Sequence, residues 1–145
     1  MLTVARSVMI NRPVEQVFTF VADFENEPQY NASLLNMKKT SPGAIGLGTT
    51  WQEKVRLAGT HNRTVTIYEP PHTLVYQNDG RPFPVAITFH FASVPGGTRL
   101  TASPKIQLGG LFKLGAPLFH LLLPKLVERI VSNIKKVLEA QPQAK

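Results

Sequence analysis

Glu53 and Arg63, two charged residues on neighbouring stretches of alternating sequence, are the side chains best placed to do chemistry in this chain. In the run from Trp51 to Leu57, Trp51, Glu53, Val55 and Leu57 occupy alternate positions, hence one face of a β-strand, and Gln52, Lys54 and Arg56 occupy the other. The apolar set belongs on the inner face, so Glu53 goes inward with it. In the next run Val65 and Ile67 select an inner face that also carries His61 and Arg63. A three-residue turn at Ala58 to Thr60 sets Val55 opposite Arg63 and Leu57 opposite His61, leaving Glu53 diagonal to Arg63. Two chemistries are open to such a pair. It is a structural ion pair, matched because an unmatched buried charge is strongly destabilising. Or it is a polar anchor, with Arg63 gripping a ligand carboxylate or hydroxyl and Glu53 acting as acid or base. Tyr76, further along, adds a phenol that needs a partner wherever it is buried.

Other reactive arrangements are missing from the sequence. It has no Cys, which excludes disulfides, thiolate metal sites and a cysteine nucleophile. The four His stand apart at 61, 72, 90 and 120 without ligand spacing, so neither a metal nor any other cofactor is expected, and His90 between Phe89 and Phe91 points outward. There is no Gly-x-Ser-x-Gly elbow. Ala44-Ile45-Gly46-Leu47-Gly48 lacks the Gly-Lys-Ser/Thr ending of a phosphate loop and reads as a cavity rim, as does Gly109-Gly110.

The elements that must position these residues follow from periodicity. Leu2 to Ile10 reads as a first strand; Pro13 opens a helix carrying Val14, Val17, Phe18, Val21 and Ala22; Asp23 to Asn31 forms a second short helix or turn with Phe24 and Tyr30 inward. From Leu34 the period is two. Strands are expected at Thr49 to Leu57, Thr60 to Glu69, Thr73 to Asn78, Val85 to Ser93 and Thr98 to Leu108, joined by short turns that favour antiparallel hairpins. Pro117 to Glu139 reads as a long amphipathic helix, with Phe119, Leu122, Leu123, Leu126, Val127, Ile130, Ile134, Val137 and Leu138 along its apolar stripe. The expected fold is α+β, a curved antiparallel sheet around a long C-terminal helix, with two short helices after the first strand. Trp51, Glu53, Arg63, Tyr76, Phe89, Leu100, Phe119, Leu123 and Val127 are the candidate lining of a cavity between them.

Length and composition agree with one domain spanning residues 1–145, 43% apolar and 17% charged. The net charge of +7 is concentrated after residue 72, where nine bases face three acids, yet the bases come singly or in pairs and no nucleic-acid partner is expected. No signal-like apolar region opens the chain, and the stretch Leu111 to Leu123 is interrupted by Lys113, Pro117 and His120, so a cytoplasmic protein is expected. The oligomeric state is left open.

Several segments carry a resemblance. Ile10-Asn11-Arg12-Pro13-Val14-Glu15-Gln16-Val17-Phe18, Val21-Ala22-Asp23 ahead of Pro28-Gln29-Tyr30-Asn31, Gly46-Leu47-Gly48-Thr49 before Trp51, Tyr68-Glu69-Pro70-Pro71-His72-Thr73-Leu74, and Gly96-Gly97-Thr98-Arg99-Leu100-Thr101 stand in this order. Together they resemble the START-like, helix-grip superfamily, and more narrowly its polyketide cyclase/dehydrase and lipid-transport family. One departure is Tyr30-Asn31-Ala32, where many relatives carry Trp before Asn-Pro. The resemblance implies the helix-grip fold, which hosts many functions. The first expectation is a non-enzymatic binder or carrier of a lipid, aromatic polyketide or quinone-like compound, with transient membrane contact. The second is a cyclase or dehydratase using Glu53, Arg63 and Tyr76. The third is a protein-interaction module, such as a chaperone cofactor or hydroxylase component.

Overall fold

A computed structural model describes residues 1–142. In chain order the elements are β1 (Leu2–Thr3), β2 (Arg6–Ile10), α1 (Val14–Ala22), the short 3₁₀ helix η1 (Phe24–Gln29), β3 (Leu34–Lys39), β4 (Thr50–Val55), β5 (Gly59–Glu69), β6 (Thr73–Asn78), β7 (Val85–Val94), β8 (Gly97–Ile106), a second 3₁₀ helix η2 (Gly110–Gly115) and α2 (Ala116–Ala140). Strands β3 to β8 form an antiparallel meander, and β1 and β2 both pair with β8. The first strand expected from the sequence is thus two strands, interrupted at Val4-Ala5. Helix α2 packs on β2 and β8, and α1 on β7 and β8, giving the helix-grip arrangement.

Local chemistry sets these boundaries. Pro13 caps α1 with φ −61° and ψ 148°, and Val14, Val17, Phe18 and Val21 at helical spacing are buried. The Asp23 carboxylate accepts from the Glu25 N–H and so starts η1, which buries Phe24 and Glu27. The C-terminal turn of α2 is tied to the β2–α1 corner: Arg12 Nη2 donates to the carbonyls of Glu139 and Gln141 at 2.7 and 2.8 Å, and the Asn11 N–H donates to Glu139 Oε2 at 2.8 Å. Gly97 begins β8 at φ +146°, and a Cβ there would meet the Ile10 carbonyl oxygen at 2.0 Å, so only glycine lets the chain pass so close to that corner.

The β4–β5 hairpin differs from the sequence expectation. Val55 pairs with Gly59, Glu53 with His61 and Trp51 with Arg63. Leu57 sits in the connecting loop at φ +65°, fully exposed, and takes no place on the inner face. The register has slid by four residues, so that Arg63 faces Trp51 rather than Val55; an even slide keeps every side chain on its face, and this one leaves Glu53 diagonal to Arg63 from the other side. A bulge between Val65 and Ile67 then turns Ile67 outward and brings Tyr68 against Phe18 at 5.4 Å, reversing the expected facing of Ile67. On α2 the C-terminal half buries Ile134 and Leu138 as expected, together with Val131, which the expected stripe omits, but Leu122 and Leu126 are exposed rather than part of the buried stripe.

Candidate functional site

Four elements bring one polar cluster together beneath the first half of α2. Arg63 from β5 stands at the centre, Glu27 reaches it from η1, Glu53 from β4, and Tyr76 lies on β6 beside it. Arg63 Nη1 donates to Glu27 Oε1 at 2.6 Å, and Arg63 Nη2 donates to Glu53 Oε2 at 2.5 Å and, more distantly, to Glu27 Oε2 at 3.4 Å. The guanidinium also lies 4.0 Å from the Tyr76 ring centre and 4.7 Å from that of Phe24, within cation–π range. Asn31 Nδ2 donates to Glu27 Oε2 at 3.1 Å. All three charged side chains are nearly inaccessible: Arg63 4%, Glu27 9% and Glu53 12% exposed.

Two carboxyl groups therefore share one guanidinium. Burial works against the charge of Arg63, yet Glu27, Tyr76 and Glu53 outweigh it and hold the group protonated beyond its ordinary range. Burial, followed by the neighbouring Glu27, raises Tyr30 well above a free phenol; for Tyr76 burial again leads, Arg63 opposes it, and Glu27 and Glu53 add to the rise. Both phenols thus stay protonated as hydrogen-bond donors. Among the described residues neither hydroxyl has a hydrogen-bond partner, and Glu53 bonds through Oε2 alone, leaving Oε1 free to accept. Arg63 Nε is buried without an acceptor.

Two adjoining cavities open onto this cluster. One, of about 230 Å³, lies between sheet and helix: Val85, Ile87 and Phe89 of β7 with Ala102 and Ile106 of β8 form one wall, Leu123, Val127 and Ile130 of α2 the other, and Glu27, Tyr30, Asn31 and Tyr76 one polar side. The second, of about 200 Å³, is bordered by Glu53, Arg63, Asn78 and Ser33 and shares Glu27, Asn31, Tyr76, Val85 and Ile87 with the first. A more voluminous depression of about 960 Å³ runs outside α1 from Pro13 to Asn26, but it is an open surface groove that touches none of the clustered charges.

Of the residues the sequence singles out, Tyr76, Phe89, Leu123 and Val127 line the first cavity, and Glu53, Arg63 and Tyr76 the second. Trp51, Leu100 and Phe119 line neither. Trp51 is fully buried under Phe24, with ring centres 5.2 Å apart, because η1 folds over the inner face there; Leu100 is fully buried core; Phe119 packs edge-on against Phe83 at 5.7 Å. Nor does the Ala44–Gly48 loop rim the cavity: the Gly48 N–H donates to the Val65 carbonyl, and Ile45 borders the groove on α1. Glu27 and Asn31 escaped the sequence reading. The signal for Glu27 was its place three residues from both Phe24 and Tyr30, the two positions read as inward. Among the described residues no group of three or more His, Cys, Asp or Glu is placed to hold a metal ion.

A family model described as polyketide cyclase / dehydrase and lipid transport matches residues 1–139. Solved structures share the fold at low identity. TTHA0849 from Thermus thermophilus aligns at TM-score 0.79 and 17% identity over 97% of this chain and 100% of its own. A START superfamily protein from Mycobacterium smegmatis aligns at 0.74 and 17% over 95% of this chain and 97% of its own. The di-domain aromatase/cyclase StfQ of the steffimycin biosynthetic pathway aligns at 0.77 and 12%, this chain covering half of its length. No curated protein matches.

Proposed function

The chain belongs to the polyketide cyclase / dehydrase and lipid transport family, and from that premise we propose that it binds a small hydrophobic molecule bearing a hydroxyl group, held between the sheet and α2. The observation that carries this reading is unused polar capacity beside an apolar cavity. A structural ion pair needs one carboxyl for Arg63, and here a second is supplied, with Glu53 Oε1 and the hydroxyls of the cavity-lining Tyr30 and Tyr76 left unbonded but not fully enclosed. Unbonded polar atoms on a cavity wall take water or a ligand as their partner, so a ligand hydroxyl that donates to Glu53 and accepts from Tyr76 completes the set. A ligand carboxylate fits poorly, since both terminal nitrogens of Arg63 are engaged and two carboxyls stand beside it. Cavities of about 230 and 200 Å³ lie below the roughly 300–1,000 Å³ of drug-sized sites, which favours a phenolic polyketide fragment, a quinol or a short-chain lipid over a two-chain lipid.

Organic extraction of the purified protein followed by mass spectrometry tests the reading. A hydroxylated hydrophobe at one molecule per chain is expected, and its loss in a folded Ile87→Trp variant, whose indole fills the space shared by both cavities, locates it there. An empty extract from protein that also fails to bind phenolic probes such as naphthols overturns it. The placement of Glu53 and Tyr76 against one space favours an enzymatic second reading, in which they exchange protons with a bound polyketide. Conversion of the extracted compound, abolished by Glu53→Gln with binding retained, decides for the enzyme. A protein partner that co-purifies equally with the Ile87→Trp variant decides for an interaction module.

A further inference from the structure

Helix α2 changes character along its length in a way that packing on the sheet does not explain. Its buried side, Leu123, Val127, Val131, Ile134 and Leu138, begins two turns into the helix and runs to the C-terminal end. The outward side is polar from Lys125 onward, where Lys125, Arg129, Ser132 and Lys136 succeed one another at helical spacing. In the N-terminal half the same outward line is apolar: Leu118, Leu121 and Leu122 stand exposed, and η2 extends the patch with Leu111 and Leu114, 84% and 81% exposed. A helix that is apolar all round is either buried or in contact with lipid. Here, only 11% of the most apolar 18-residue window of the Gly110–Ala140 segment is buried, at a mean hydropathy of 1.3. The charge around the patch is mainly positive. Residues 110–127 contain Lys113, His120 and Lys125 and no acid, and Arg129 follows on the outward side one turn later, beside an exposed Glu128 whose carboxylate lies 4.0 Å from Arg6 Nε.

We propose that η2 and the first half of α2 dock on an anionic lipid surface, the leucines entering the acyl boundary and Lys113, Lys125 and Arg129 meeting the headgroups. An apolar face rimmed by cations is the pattern of interfacial helices, and each Lys or Arg near an anionic surface adds attraction. A second copy of the chain fits less well, because a symmetric pairing of this face sets the same cations against their counterparts. The docked face is continuous with the cavity: Leu126 lines the space between sheet and helix and is 45% exposed at its edge. Docking goes beyond the binding reading above and stands whether or not the cavity takes a ligand.

The test is co-sedimentation of the full chain with vesicles of phosphatidylcholine alone and of phosphatidylcholine with roughly one-third phosphatidylglycerol. Binding to the second and not the first is expected, weakening as salt is raised. The double variant Lys113→Gln/Lys125→Gln lowers affinity roughly thirty-fold, and Leu118→Gln/Leu121→Gln roughly hundred-fold, both with unchanged melting temperature because the four positions are exposed. No binding to either vesicle, or binding that the leucine variant leaves intact, overturns the proposal. So does a dimer in light scattering that Leu118→Gln/Leu121→Gln converts to monomer while vesicles go unbound. The vesicles carry no cavity ligand, so failure here leaves the cavity reading untouched, and an empty cavity leaves this one untouched.

Discussion

Arg63 is the residue on which the interior electrostatics turn, and its two partners are not equivalent. Glu27 reaches it through both carboxylate oxygens and is itself held by Asn31, whereas Glu53 makes a single hydrogen bond. Arg63→Met strands both carboxyls in a nearly dry interior and is expected to destabilise the fold by about 3–5 kcal/mol in urea titration. Glu53→Gln leaves the Glu27–Arg63 pair whole and costs about 1 kcal/mol. Equal losses from the two variants would show that Glu53 is as much a structural partner as Glu27, removing the spare acceptor from the binding argument. At the surface, Asp79 provides the acid-side pH dependence. Burial opposes its charge, but hydrogen bonds from the Arg81 side chain and from the Asn62 and Arg81 N–H groups outweigh that and bring it from 3.8 down to about 2. A carboxyl depressed in the folded state stabilises above its unfolded value, and the contribution is lost as pH falls from about 4 through about 2. Stability measured across that window is expected to fall less steeply in Asp79→Asn than in the parent; identical slopes count against the assignment.

At the scale of elements, α2 serves two purposes on two faces. Ile134 is completely enclosed between the helix and its supports, so Ile134→Ala should cost about 2–5 kcal/mol by removing packed methylenes and leaving a void. Leu121, 62% exposed, should tolerate Ala within about 0.5 kcal/mol. Paired thermal melts of the two variants check this, and a large loss at Leu121 would mean that the outward face is already covered by protein in solution. Element η1 matters out of proportion to its length. Its six residues place Phe24 over Trp51 and Glu27 on Arg63, so it sets both the floor of the core and the polar side of the cavity.

For the molecule as a whole, the cavity and the apolar face adjoin at the same end of α2, so a hydrophobe passing between lipid and protein need not cross bulk water. If the cavity carries a ligand as isolated, stripping it by denaturation in organic solvent and refolding should lower the melting temperature, and adding the extracted compound back at roughly a hundred times its Kd should restore about 2.7 kcal/mol. An unchanged melt after complete removal would contradict occupancy of the interior. The net charge of +7 belongs to the outside of the molecule, and its concentration after residue 72 includes the cations around the docking face.

By itself the sequence determined the order of elements, the meander, the long C-terminal helix and the inward facing of Glu53, Arg63 and Tyr76, because period-two and period-3.6 patterns report directly which side of each element meets the core. The facing of Glu53 survived even a hairpin whose register was misjudged by four residues, since an even slide preserves alternation. What only the tertiary structure decided depends on contacts between elements distant in the chain. Glu27 joins Arg63 across 36 residues, η1 covers Trp51 and removes it from the cavity, and the bulge after Val65 exchanges Ile67 for Tyr68. The two faces of α2 could be told apart only once the sheet was in place, because ahead of Lys125 its one polar side chain is His120 and periodicity has no polar stripe there from which to read an orientation.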